Sequence, residues 1–92
     1  MKSILITTKH RGVFFAQVEE NADLGKETLT DLKECRMAIY WGTKNGVQEL
    51  AKHGPTANSR ISCESGIEAI FGVTAIFSVT KKAEKAWLEI SK

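Results

Sequence analysis

Met37-Ala38-Ile39-Tyr40-Trp41-Gly42-Thr43, Val47-Gln48-Glu49-Leu50-Ala51-Lys52-His53-Gly54-Pro55 and Thr56-Ala57-Asn58-Ser59-Arg60-Ile61-Ser62 are three pieces of one stretch that sets the fold class. The first is hydrophobic and aromatic and reads as the end of a strand that turns at Gly42-Thr43. In the second, Val47, Leu50 and Ala51 fall at i, i+3 and i+4, which gives one apolar helical face over about 45–53. Asn45 or Thr43 can cap its start, and Gly54 followed by Pro55 stops it. Two turns of helix do not persist alone, so this helix must pack on a sheet. The third piece is small, polar and basic, with a short strand expected over Ser59–Cys63.

Upstream, Ser3–Thr8 is a β-branched run, and Lys9-His10-Arg11-Gly12 supplies a hairpin turn in which Gly12 is free to take positive φ. Val13–Glu20 is the second strand. Phe14, Ala16 and Val18 face one side, and Val13, Phe15 and Gln17 face the other. With both faces partly apolar, it belongs at the centre of a sheet or at an interface. Residues 21–26 are a loop by composition, Glu27–Leu32 a weaker strand and Lys33-Glu34 a turn. Cys35–Trp41 follows, with Cys35, Met37, Ile39 and Trp41 on one face and Arg36, Ala38 and Tyr40 on the other, the Arg36–Tyr40 pair being exposed.

Downstream, Ser59–Cys63 and Ile67–Phe71 read as short strands around a Glu64-Ser65-Gly66 turn. Val73–Val79 is a strand with Val73, Ala75, Phe77 and Val79 on one side. Thr80 caps a last helix over about 81–90, whose Ala83, Ala86, Trp87 and Ile90 form its apolar stripe. The expectation is an α+β domain: a bent antiparallel sheet, or a small SH3-like or Sm-like partial barrel, crossed by the C-terminal helix.

Ninety-two residues, 42% hydrophobic and 26% charged, describe one globular domain too apolar for disorder. A chain of this size buries only roughly 60–65% of its unfolded surface. Its two Trp and four Phe, together with the two-sided Val13–Val18 segment, therefore suggest a homo-oligomer, most simply a dimer. A net charge of +2, with Lys and Arg mixed among Asp and Glu, disfavours a nucleic-acid binder. The apolar run at Ile4-Leu5-Ile6 is too short for a signal peptide or a membrane span, which makes a cytoplasmic protein the expectation.

No catalytic signature accompanies this frame. His10, His53, Cys35 and Cys63 form no ligand pair of zinc-site spacing, so no metal is expected, and no cofactor. Two cysteines make no disulfide framework. Cys63 sits in Ser-Cys-Glu-Ser-Gly, which is no nucleophile elbow, and Ser62 and Ser65 have no base nearby in sequence. The phosphate-binding glycine motifs are missing too. What stands out is 54–62. A Gly54-Pro55 loop exposes backbone N–H groups, Thr56 and Ser59 add hydroxyls, and Arg60 adds a fork suited to phosphate or carboxylate. Tyr40 or Trp41 offers a flat face for a base. His10 and Arg11 at the hairpin tip are a second basic spot. The competing reading is a surface loop whose hydroxyls satisfy its own backbone.

Several segments together, Thr7-Thr8 with His10-Arg11-Gly12-Val13-Phe14-Phe15, Ala38-Ile39-Tyr40-Trp41, Gly46-Val47 with Leu50-Ala51, Gly54-Pro55-Thr56, Ser59-Arg60-Ile61, Gly72-Val73-Thr74-Ala75-Ile76 and Ala86-Trp87, resemble a family of small uncharacterised proteins encoded in bacteriophage and prophage genomes. The resemblance covers nearly the whole chain and carries no catalytic residues with it. It implies a non-enzymatic accessory protein that acts by binding in a host cytoplasm. Three readings follow: a binder of a small anionic ligand such as a nucleotide, sequestering a host signalling molecule; a protein-interaction module that blocks a host defence protein through its aromatic sheet face; and a small nucleic-acid-binding barrel.

Overall fold

The computed structural model describes residues 1–9, 12–25, 28–40, 47–55, 60–62 and 67–90, with the backbone alone described at Ile39, Tyr40, Val47, Glu49, Arg60 and Ile90. In chain order its elements are β1 (Lys2–Thr8), β2 (Val13–Val18), β3 (Leu29–Thr30), β4 (Lys33–Tyr40), α1 (Val47–Lys52), β5 (Arg60–Ile61), β6 (Ala69–Ile70), β7 (Val73–Ser78) and α2 (Lys81–Ile90). The fold is α+β, as the sequence implies. Five strands form one antiparallel sheet in the order β5-β4-β2-β1-β7, while β3 and β6 pair as a separate ribbon. The sheet is open at β5 and β7, so the barrel alternative is set aside. No helix among the described residues is long and apolar enough to cross a membrane.

Period-two alternation along β1 and β2 builds the core, because each strand sends apolar side chains to both faces. Leu5, Val13, Phe15 and Ala38 meet Leu50 and Ala51 of α1 and Ala83 and Trp87 of α2 on one face. Ile4, Ile6, Ala16, Val18 and Cys35 meet Leu29 and Ile70 of the ribbon on the other. The two-sided apolarity of β2 is thus met inside one chain, as a central strand, and no second subunit is needed to cover it.

Trp87 is fully buried and lies parallel to Phe15, with ring centroids 5.2 Å apart and planes 12° apart. Its indole N–H donates to the Leu50 carbonyl at 3.0 Å, fastening α2 to α1. Thr80 joins the helices a second time. Its hydroxyl accepts from the Ala83 N–H at 3.1 Å as the N-cap of α2, and donates to the Lys52 carbonyl at 2.6 Å, near the end of α1.

Several local expectations fail for identifiable reasons. Gly12 has a reason of its own to be glycine. It is required for space, since a Cβ there would meet Thr8 Oγ1 at 2.7 Å and the Phe14 ring at 2.8 Å. The turn after β3 is at Asp31, which holds φ 58°, and Lys33-Glu34 already belongs to β4. Glu34 is also left-handed, at φ 53°, where β4 uses three residues against two of β2. Arg36, expected to be exposed, is only 5% accessible; it donates to the Glu34 carbonyl at 2.7 Å and pairs with the Glu34 carboxylate at 3.1 Å. The short strands expected around 60 and 70 are present and belong to different sheets, β5 joining β4 and β6 joining β3. In β7 an extra residue between Val73 and Ala75 switches faces. Val73 therefore packs on the ribbon side, while Phe77 and Val79 pack on the helix side.

Candidate functional site

Strand register decides which candidate residues share a neighbourhood. Tyr40 and Arg60 are Cα partners across β4 and β5, so an aromatic residue and an arginine stand opposite one another at one sheet edge. The register of β2 with β4 runs Gln17↔Lys33, Phe15↔Arg36, Phe14↔Met37, so β4 travels toward Tyr40 as β2 is traced back toward Gly12. Tyr40 and Arg60 thus lie at the end of the sheet that carries the β1–β2 hairpin. Lys9 lies at the same end, where its N–H donates to the Gly72 carbonyl at 2.9 Å. With neighbouring strands about 4.8 Å apart, Arg60 is roughly 10 Å from the β2 line and roughly 15 Å from β1. Two segments remote in sequence therefore bring basic residue types to one end of the sheet, and a third brings an aromatic one.

Below Tyr40 the edge is tightly tied. The Ser62 N–H donates to the Met37 carbonyl at 3.0 Å, and the Met37 N–H returns a bond to Ser62 Oγ at 2.9 Å. Ser62 is thus committed to holding β5 on β4, a role the sequence does not signal. His10, Arg11, Trp41, Thr56 and Ser59, the remaining expected ligand-binding residues, lie outside the described residues, as does Cys63.

Gly54 has a different setting. Its N–H donates to the Leu50 carbonyl at 3.1 Å and its φ is +83°, the left-handed ending of a helix. It is buried against α2, where a Cβ would stand 2.6 Å from the Ala86 Cβ and 3.2 Å from the Ala83 carbonyl oxygen. Gly54 therefore lets two helices touch. Its neighbours among the described residues belong to the helix layer.

A cleft of about 500 Å³ opens at the opposite end of the sheet, beside Ser3, Ser78, Val79, Lys81 and Glu84. Gln17 Nε2 donates to Ser3 Oγ at 3.2 Å, and Ser3 Oγ donates to Glu84 Oε2. This chain of bonds ties α2 to the two central strands and places a carboxylate in the first turn of α2, offsetting Lys81 and Lys82 there. Of the other candidate ligating groups, Cys35 is buried in the ribbon-side core, and His53 is exposed just beyond α1.

The chain belongs to a family described as a domain of unknown function, DUF6948, whose profile matches residues 1–87. That span includes every segment on which the resemblance above was drawn. No curated protein and no solved structure matches the chain.

Proposed function

We propose that this protein is a non-enzymatic binder of a small anionic ligand, seated at the sheet end where β5 meets β4 and β1 meets β2. The register of Tyr40 with Arg60, at the same end as Lys9, is the observation that carries the reading. A guanidinium is a two-pronged donor for phosphate or carboxylate, an ammonium adds point charge, and a phenol ring gives a base a flat surface. A ligand with a phosphate and a planar ring, such as a nucleotide, uses all three. In this reading the chain is a phage-type accessory protein of the cytoplasm that sequesters a host signalling nucleotide. The apolar side chains of β1 and β2 are packed on both faces within the chain, which leaves those strands no open face for a protein partner and supports the ligand reading.

The test begins with purified protein. Absorbance at 260 against 280 nm, followed by mass spectrometry of whatever denaturation releases, identifies a co-purifying nucleotide. Titration calorimetry with inorganic phosphate and with nucleoside 5′-monophosphates then compares wild type with Arg60→Ala, Arg60→Lys and Lys9→Ala. Loss of a charge-assisted bond worth about 1.5–3 kcal/mol weakens binding by roughly 10- to 150-fold in Arg60→Ala. Arg60→Lys recovers part of that, and Lys9→Ala loses less. Undiminished binding by Arg60→Ala refutes the site.

A further inference from the structure

The two edges of the sheet are built differently. Among the described residues the β5 edge is two residues long and contains Arg60, and short or charged edges resist pairing with another chain. The β7 edge is six residues, Val-Thr-Ala-Ile-Phe-Ser, inside the longest uncharged run of the sequence: the twelve residues from Ala69 to Thr80, between Glu68 and Lys81. Among the described residues, its outer side has no backbone partner. Val79 N–H donates inward to the Ser3 carbonyl at 3.3 Å. Since backbone polarity alternates along a strand, Phe77 and Ala75 also face β1, and Ile76 and Ser78 direct their N–H and C=O groups outward.

We propose that two copies of the chain pair antiparallel along β7, about a twofold axis at Ile76, and merge their sheets into one. In this register Ile76 faces its own copy, Thr74 faces Ser78, and Ala75 faces Phe77. The outward groups of each copy then bond those of the other, and the aromatic ring of Phe77 lies opposite a methyl group. Both ends of the strand fit the same symmetry. Phe71, just before β7, is 71% exposed, and the cleft beside Ile76, Ser78, Val79 and Lys81 opens at the other end. An antiparallel twofold brings the Phe71 end of each copy to the cleft end of its partner, as an isologous interface requires.

The footprint sets the strength. A strand about 20 Å long, seen through layers about 20 Å deep, gives roughly 400 Å² per copy. Two Phe71 rings, each able to bury about 150–250 Å², bring the total to roughly 1,100–1,300 Å². This is the lower end of specific interfaces, and it points to a dimer that forms at micromolar concentrations.

Sedimentation velocity on the full chain, from about 5 to about 500 µM, spans that range. Wild type is expected to move from the 10.2 kDa monomer toward twice that mass as concentration rises. Thr74 and Ser78 are exposed and belong to neither core cluster. T74K/S78K sets like charges opposite one another and weakens association at least ~10-fold, whereas T74E/S78K sets opposite charges there and restores it. T74V removes the bond between the Thr7 and Thr74 hydroxyls, 2.9 Å long, without adding charge, and keeps wild-type association. Phe71→Ser weakens it. Circular dichroism and melting temperature verify the fold of each variant. A wild type monomeric at 500 µM, a T74K/S78K variant that associates as wild type does, or a T74E/S78K variant no tighter than T74K/S78K overturns the proposal.

Discussion

Replacing Trp87 tests whether the helix layer is integral to the fold. Three terms add at this position. The indole is fully buried, it stacks on Phe15, and it is the donor to the Leu50 carbonyl near the end of α1. Truncation of a buried Trp to Ala costs about 3–5 kcal/mol through lost transfer energy and the cavity left behind. A 92-residue domain has roughly 5–14 kcal/mol in total, so Trp87→Ala is expected to be largely unfolded or to melt far below wild type. Trp87→Phe separates the terms. It keeps an aromatic ring against Phe15 and removes one hydrogen bond, worth about 0.5–1.5 kcal/mol, from a Leu50 carbonyl that still accepts from the Gly54 N–H. At about 4–8 °C per kcal/mol, the hydrogen bond alone then accounts for a fall in melting temperature of roughly 2–12 °C. Urea denaturation of both variants, followed by circular dichroism, gives the two free energies directly. A Trp87→Ala protein that melts within a few degrees of wild type refutes the assignment of α2 to the core.

Gly54→Ala is expected to lose about 2–5 kcal/mol, because the left-handed backbone disfavours a side chain and the new methyl collides with Ala86. The double variant Gly54→Ala with Ala86→Gly relieves only the collision, so partial recovery in denaturant titration identifies the steric share. Thr80→Ala removes the cap of α2 and the bond to Lys52 together, for about 1–3 kcal/mol, and Thr80→Ser is close to wild type by the same assay. In both cases a change below about 0.5 kcal/mol, typical of ordinary surface positions, contradicts the contact described.

What the sequence disclosed and what it hid divide along the range of the interactions. Period-two apolarity in β1 and β2, the Gly54-Pro55 stop and the Thr80 cap are short-range signals, and each element they specify is present. Irregularities are a different matter. The extra residue in β7 reverses the faces of Val73 and Phe77, and the left-handed Glu34 lies where β4 bulges against β2. Neither has a glycine to announce it, so pattern reading carried the alternation straight through. Arg36 looked exposed for a related reason, since its counter-charge is Glu34, two residues earlier, where a regular strand would put a neighbour on the same face.

The candidate site follows the same logic with the opposite outcome. Tyr40, Arg60 and Lys9 are far apart in sequence and reach one sheet end only through pairings that residue types do not specify. Gly54 stands six residues before Arg60, which in the sequence alone puts the two in one loop. Its neighbours are instead Ala83 and Ala86 on α2, and burial there explains the glycine without a ligand. The proposed contact of a ligand with Arg60 and the proposed association along β7 involve opposite edges of one sheet. They are separable by mutation: Arg60→Ala should leave the mass distribution unchanged, and T74K/S78K should leave anion binding unchanged. A variant at either edge that disturbs both readouts would mean that the two edges communicate through β4, β2 and β1, the strands that join them.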